Sequence, residues 1–332
     1  MLTQWIIFLL CSLAIVLAGV RLAKFGDAIG RRSGIGQGWI GLLFLATITS
    51  VPELTTTVTG ATIGAPNIAV GNALGSNLFN VAIIAIVDIL LLGRGPFLSK
   101  VKSYHVVSGG AAILLTTLAA FAIAIFPQAQ VLGISPFSLA ILVLYVVAVF
   151  LLFRVERRDG DAEEENDDTL SLRKAIIGFA ASAVVIVVAG IFLIHASKNI
   201  ALNSALSGSF MGAILVAIVT SLPELSTSIG ALRIGAYDMI LGNLFGSNMF
   251  NILTIFFADV AFRQGSLFAG LGGQATNQLM IALLGIGITT IAVIGIAYRS
   301  KRKLLGMGVD AMFVLAMYLI STSMIVFRGI DF

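Results

Sequence analysis

Residues 46–80 read ATITSVPELTTTVTGATIGAPNIAVGNALGSNLFN, and residues 217–251 read AIVTSLPELSTSIGALRIGAYDMILGNLFGSNMFN. The two stretches align without a gap at an offset of 171 (224 − 53) and agree at 17 of 35 positions. A chain that carries one segment twice is built from two related units, so a reading of either half constrains the other.

The units belong in a membrane. Of 332 residues, 58% are hydrophobic and 11% charged, and the mean hydropathy is +1.06; soluble domains of this size are far less apolar. A hydrocarbon core about 30 Å thick needs roughly 20 apolar residues per helix. Ten such windows occur, near residues 4–20, 36–60, 66–93, 105–126, 131–153, 174–197, 208–231, 237–262, 276–298 and 306–327. The first lacks a basic start and an A-x-A-like site, and Arg21 and Lys24 follow it, so it reads as a retained helix rather than a signal peptide. The lone cysteine, Cys11, lies inside it, which excludes an internal disulfide framework. The repeated segment falls on spans two and three and again on seven and eight, making each unit five spans long. An odd number of spans turns the second unit upside down in the bilayer. The expected fold is therefore an all-α integral membrane protein of ten transmembrane helices, two inverted five-helix repeats with helices 2 and 7 broken. Secondary transporters built this way bind substrate near the midplane, where broken helices of the two halves meet.

The basic residues set the orientation. With both termini outside, 17 of the 20 Lys and Arg fall on inside loops, leaving Lys198, Arg263 and Arg328 outside. The pI of about 9.4 thus reflects topology and gives no reason to expect nucleic-acid binding. The first repeat is expected over residues 1–155 and the second over 174–332. Between them, residues 156–173 form an acidic inside linker that includes ERRDGDAEEENDD, eight of the sixteen acids in the chain. It reads as a solvated charge run; the glycine and terminal Glu of a calcium-binding EF-hand loop are missing.

A carboxylate is out of place in this setting. An Asp, Lys or Arg at the centre of a membrane helix costs about 2.5–3.5 kcal/mol on insertion scales, and intramembrane acids default to function. Glu53 and Glu224 are the two deepest acids, and no Lys or Arg lies at their depth to make a structural ion pair. Pro52 and Pro223 stand directly before them. Each lacks an N–H and crowds the carbonyl four residues back, which predicts interruptions around 46–49 and 217–220 and frees backbone oxygens. Thr49-Ser50 and Thr220-Ser221 add hydroxyls. In and just beyond GNALGSN, residues 71–77, Asn72, Ser76 and Asn80 share one helix face at i, i+4 and i+8, while Gly71 and Gly75 permit close helix packing. The three groups have no reason to line one face in lipid unless they meet an ion or each other. Every candidate ligand is an oxygen, which suits hard cations, Ca2+ first and Na+ by analogy; zinc or copper call for His or Cys. His105 and His195, the only histidines, sit near helix ends and read as interfacial. Two ionised glutamates neutralise one divalent ion, and an empty site leaves two buried acids facing each other. An empty carrier therefore favours taking another cation or protons before it reorients, the physical basis of antiport.

TSVPEL with GNALGSN and TSLPEL with GNLFGSN resemble the alpha repeats of the cation/calcium antiporter superfamily, most closely its sodium/calcium exchanger branch. The resemblance implies that Glu53 and Glu224 are the central cation ligands. It further implies that Thr49, Ser50, Thr220, Ser221, Ser76 and Ser247 supply sodium and calcium ligands, and that the backbone oxygens of Ala46 and Ala217 bind sodium. Four residues past the GSN serine, the first repeat of the family often carries Asn, as Asn80 is. The second frequently carries Asp, where this chain has Asn251. That departure argues against potassium co-transport. The GNAxE context of the proton-coupled branch is absent, favouring Na+ over H+ as the driving ion, with Ca2+/H+ antiport the alternative. No resident cofactor is implied. Compact members without large soluble domains are similar to prokaryotic exchangers of the inner (plasma) membrane.

Two readings of other classes compete. A cation channel needs a continuous pore, commonly ringed by several subunits, whereas one chain here holds the whole site and is expected to act as a monomer. Tyr237-Asp238 is similar to the YD of intramembrane aspartyl proteases, but no second catalytic Asp motif follows. Asp88 and Asp259, also 171 apart (259 − 88), lie about 12 Å beyond Asn80 and Asn251 along their helices. They are expected beside the inside and outside ion entrances respectively.

Overall fold

The two copies of the repeat break, restart and end their helices at equivalent residues. The computed structural model describes residues 2–34, 36–91, 94–125, 127–159, 170–203 and 219–327. Its helices are α1 (Leu2–Ser33), α2 (Gln37–Thr49), α3 (Val51–Thr62), α4 (Pro66–Leu90), α5 (His105–Ala124), α6 (Pro136–Asp159), α7 (Leu172–Asn203), α8 (Leu222–Arg233), α9 (Tyr237–Ala261), α10 (Ala275–Tyr298) and α11 (Val309–Phe327). Adding 171 to the bounds of α3 and α4 gives those of α8 and α9. The turn between them has one cause in both halves. The sequence IGA puts a glycine just past the helix at φ +75 (Gly64) and +76 (Gly235), a left-handed conformation that costs glycine nothing. Ala65 N–H then donates to Gly60 O and Gly64 N–H to Ala61 O, while Ala236 donates to Ala231 and Gly235 to Leu232. This is the same Schellman closure twice. Pro66 opens α4, where a missing N–H costs nothing.

Among the described residues, seven helices are long and apolar enough to cross a membrane. The pair α2 and α3, bent by 46°, makes an eighth, and α11 adds a shorter apolar helix, Val309–Ile325. The first part of the expected seventh span, residues 208–218, lies outside the described residues. Helices α4 and α9 are 72% and 83% buried over their spans, against 22–28% for α1, α6 and α7, so the repeated motifs occupy the centre. The outer helices turn Leu13, Leu17, Val143, Phe150, Val184 and Phe192 outward, as surfaces facing lipid do. Glycines bring α2 against α9: a Cβ on Gly242 or Gly246 meets the main chain of Gly38 or Leu42, and one on Gly41 meets that of Met239.

Loops segregate to two ends. At one, Lys102 N–H donates to Asp238 Oδ1 (2.7 Å), Arg299 Nη2 to Ser99 O (3.2 Å) and Tyr104 Oη to Glu156 Oε1 (3.2 Å). At the other, Ser266 Oγ donates to Pro127 O, and Gln264 lies against Gly64. The first end gathers segments assigned from their charge to the inside, and the second gathers segments assigned to the outside.

Several expectations need correction. Helix α1 runs on through Arg21 and Lys24 to Ser33, because the leading apolar window fixes only the part in lipid. The linker is shorter than residues 156–173, since α6 reaches Asp159 and α7 starts at Leu172. Glu156 belongs to the fold, buried and bonded to Tyr104; residues 160–169 lie outside the described residues. His105 is wholly buried rather than interfacial, its Nε2 3.2 Å from Asp238 Oδ1. A two-residue hairpin, Lys303–Leu304 with Met307–Gly308, precedes α11. Asp88 and Asp259 are buried and tie down loops. Asp88 accepts the N–H of Phe97 (2.6 Å) and Gly308 (2.7 Å), and Asp259 those of Ser135 (2.7 Å) and Leu267 (3.4 Å). With both oxygens of each acid spent on main-chain amides, neither stands open at an entrance.

Candidate functional site

The centre is built on two helix breaks. Ser50, at φ −91 and ψ 8, separates α2 from α3, and Ser221, at φ −92 and ψ 9, precedes α8. Proline occupies the first turn of the restarted helix in each half, where its missing N–H is tolerated. The first break is confined to one residue, later than the expected 46–49. Helical bonding persists on both sides, with Ser50 N–H on Ala46 O and Leu54 N–H on Ser50 O, so only the ring's crowding remains to be relieved. A π-helical stretch, Ile40–Leu45, directly precedes Ala46; such wide turns are frequent at functional sites. The Ala46 carbonyl accepts from Ser50 N–H (3.1 Å) and Thr49 Oγ1 (3.4 Å). Ala217 lies outside the described residues.

Glu53, Glu224, Thr49, Ser50, Ser221, Ser247, Asn80 and Asn251 are all fully buried, with Ala46, Thr220 and Ser76 nearly so. Around Glu224 the two halves touch. Ser50 Oγ donates to Glu224 Oε1 (3.2 Å), and Ser247 Oγ reaches the same oxygen (3.4 Å). Thr49 Oγ1 lies 3.3 Å from both Ser247 Oγ and Asn243 Oδ1. Asn243 Nδ2 in turn donates to Thr227 Oγ1 (3.0 Å). Around Glu53 the equivalent bonds are missing. Asn72 Nδ2 reaches the Glu53 main-chain oxygen (3.1 Å) and Thr57 Oγ1 (3.0 Å), but the carboxylate itself has no hydrogen-bond donor.

Several buried oxygens at the centre have no hydrogen-bond partner. Glu53 Oε1 and Oε2, Glu224 Oε2, Asn80 Oδ1, Asn251 Oδ1 and Ser221 Oγ are buried without a hydrogen-bond partner. A buried acceptor left unmatched costs about 1–3 kcal/mol, more for a charged group. The buried polar residues among those described include no Lys or Arg, so no structural ion pair accounts for the acids. Several bare oxygens around two carboxylates match the donor set of a hard cation, and no group of three or more His, Cys, Asp or Glu competes for a softer metal among the described residues.

Of the expected site residues, Thr49, Ser50, Ser247 and Glu224 share one hydrogen-bond network, whereas the Glu53 carboxylate joins it through no hydrogen bond. Asn243 was missed, as were Asn77 and Asn248, which cross-bond the halves. All three lie in motifs repeated at the offset of 171, and that identity was the available signal. Asp238, the residue of the protease-like pair, is engaged with Lys102 and His105.

A sequence model described as sodium/calcium exchanger protein matches residues 3–154 and 174–327, stretches that start 171 apart (174 − 3). Relatives include an uncharacterized membrane protein of Methanocaldococcus jannaschii, 29% identical over 78% of this chain and 80% of that one. The putative antiporter CaxA of Alkalimonas amylolytica is 27% identical, covering 84% and 88%. The sodium/calcium exchanger MaX1 of Methanosarcina acetivorans is 26% identical, covering 90% and 93%. Among solved structures, the sodium-calcium exchanger NCX_Mj soaked with Na+ and Sr2+ superposes with a TM-score of 0.74 over 97% of this chain and 98% of its own. At 22% identity, that likeness is one of fold.

Proposed function

The chain belongs to the sodium/calcium exchanger protein family, which makes it a membrane transporter rather than an enzyme, and from that premise we propose that it exchanges Ca2+ for Na+ by alternating access. Glu53 and Glu224 form the centre of the site. Thr49, Ser50, Thr220, Ser221, Ser76, Ser247, Asn80 and Asn251 complete its oxygen set, with the Ala46 and Ala217 carbonyls serving sodium. The observation that carries this reading is the cluster of buried oxygens without donors around two carboxylates. Two negative charges balance one Ca2+, whereas monovalent ions must enter in number to do the same, which ties the two cargoes to one site.

The mirror asymmetry supports alternating access. Ser50 bonds Glu224 across the halves, but the hydroxyl of its counterpart Ser221 has no partner and the buried Glu53 carboxylate has no donor. Two related units in two arrangements can exchange them, which is how a carrier built from inverted repeats moves access to its site from one side of the membrane to the other. Ten spans with both termini outside agree with the grouping of basic loops at one end. The site draws on both halves of one chain, so a monomer suffices.

Na+ is favoured over H+ because no GNAxE motif is present, and the buried histidine of the described residues, His105, is engaged with Asp238 rather than with the site. The test is calcium-45 uptake into proteoliposomes with an outward Na+ gradient, an outward H+ gradient, or neither. Uptake driven by Na+ alone supports the proposal. Uptake driven by H+ alone replaces Na+ as the counter-ion, and gradient-independent uptake with single-channel currents replaces the exchanger with a channel.

A further inference from the structure

We infer that Asn77 and Asn248 are positioning residues that turn the side-chain oxygens of Asn251 and Asn80 toward the ions. The inference rests on the site proposed above and explains how its amides are oriented.

Four asparagines from α4 and α9 form a reciprocal network. Asn77 Nδ2 donates to the main-chain oxygen of Asn248 (3.1 Å), and Asn248 Nδ2 donates to that of Asn77 (3.3 Å). Asn251 Nδ2 donates to Asn77 Oδ1, and Asn80 Nδ2 to Asn248 Oδ1, each at 3.1 Å. Residue i of one half thus bonds residue j of the other while their counterparts repeat the exchange, the signature of a twofold axis. All four side chains are buried.

The direction of every bond follows from one fact. A main-chain carbonyl can only accept. The Asn248 carbonyl therefore requires the NH2 end of Asn77, which leaves Asn77 Oδ1 facing the other way. That oxygen requires the NH2 end of Asn251, which leaves Asn251 Oδ1 as the bare atom. The mirror chain runs from the Asn77 carbonyl through Asn248 to Asn80. The two bare oxygens are those that lack partners. Each lies on the helix face that bears the other site residues: Asn251 follows Asn243 and Ser247 by turns of i+8 and i+4, and Ser247 touches Glu224. An amide with neither end fixed presents a donor to the ions as readily as an acceptor, and a donor there repels a cation. Asn77 and Asn248 remove that choice without touching the ions.

A double-mutant cycle on the full-length protein in proteoliposomes tests this, read as the apparent KM for Ca2+, with size-exclusion profiles to establish folding. Asn251→Ala is expected to raise KM about tenfold, equivalent to about 1.4 kcal/mol. Asn77→Ala is expected to raise it similarly, because it frees the Asn251 amide. The double variant is expected to match the larger single change, since Asn77 has nothing left to orient. A double variant whose KM rises by the product of the single changes overturns the inference, as does a folded Asn77→Ala with wild-type KM. If Asn251→Ala itself leaves KM unchanged, the placement of Asn251 among the ions falls, and the inference falls with it. Should Asn77→Ala not yield monodisperse protein, Asn248→Ala with Asn80→Ala makes the same test on the mirror chain.

Discussion

Replacing either central glutamate with glutamine keeps the shape and removes the charge, yet the two sites should not respond alike. At 224, the amide oxygen can take the place of Oε1 and accept from Ser50 and Ser247, while its NH2 occupies the position of the bare Oε2. At 53, both carboxylate oxygens are bare, so the new NH2 becomes a donor in surroundings that hold several bare acceptors. Each change also removes one of two buried acids, and like charges held in one buried site repel each other. The ion-free protein should gain stability on the scale of about 1–3 kcal/mol for relieving an unmatched buried polar group, with Glu53→Gln gaining more. Ion binding should lose at least the ~1.5–3 kcal/mol of an interaction with a charged group. That loss corresponds to about 10- to 150-fold in affinity, leaving less than about a tenth of wild-type flux at subsaturating Ca2+. Calcium-45 flux in proteoliposomes and thermal unfolding in detergent, with and without Ca2+, measure both effects. Wild type should melt higher as Ca2+ is added, because a ligand that binds only the folded state stabilises it. Both variants should start higher and not respond. Flux above a tenth in either variant refutes the two-glutamate site, and a lowered ion-free midpoint refutes the repulsion argument.

Asp88→Asn strips one oxygen from a carboxylate that accepts two short main-chain bonds, leaving a buried N–H unmatched at a cost of about 1–3 kcal/mol. Its melting midpoint should fall with the KM for Ca2+ unchanged, and a changed KM at wild-type stability would restore an entrance role. Asp259→Asn should be milder, since the amide can keep the 2.7 Å bond to Ser135 and give up the 3.4 Å bond to Leu267; equal losses in the two variants count against this account. Gly246→Val forces a side chain onto the Leu42 main chain and the Ala46 Cβ beside the helix break. It should abolish flux, whereas Gly110→Ala, with nothing within 4 Å of the new Cβ, should be silent. Asn251→Asp sets a third acid near Glu53 and Glu224 and an acceptor against Asn77 Oδ1. Protons then compete with Ca2+, so flux should fall more steeply than in wild type as pH drops from about 8 to 5; a flux-versus-pH profile identical to wild type removes Asn251 from the ion path.

Much of this was legible in the sequence because the repeat imposed a check on each reading. A proline before a buried glutamate is ambiguous once, and its recurrence at the same offset signalled a helix break in each half, though the breaks fall at Ser50 and Ser221, just past the expected stretches. The polar stripe from Asn72 to Asn80 was legible for the same reason. Asn77 escaped notice because helical periodicity sets it off the stripe's face, and only the crossing of α4 and α9 gives it partners. Asp88 and Asp259 were misread because depth along a helix is calculable from sequence, whereas the loops that fold back onto a helix end are not. Phe97, Gly308, Ser135 and Leu267 carry no pattern that announces their N–H groups as the partners. His105 illustrates the same limit, since burial against Asp238 depends on how loops assigned to one end pack together.

A twofold repeat cannot by itself decide which half is closed. Ser50 and Ser221 are the same residue in matching backbone, each two residues before the proline of PEL, yet one hydroxyl bonds the opposite glutamate and the other has no partner. The preference between the two arrangements must therefore arise where the copies differ. The hydroxyls that receive the stripe's first asparagine are one such place. Asn72 donates to Thr57, whose counterpart is Ser228, whereas Asn243 donates to Thr227, the counterpart of Thr56. That one-residue shift goes with a change in what each asparagine binds next, the Glu53 main chain in the first half and Thr49 of the opposite half in the second. The central Asn77–Asn248 exchange, by contrast, is symmetric in both donors and acceptors. Identical sequence at the axis thus gives matched bonds between the two halves, and the asymmetry appears only a turn or two away, where the copies differ.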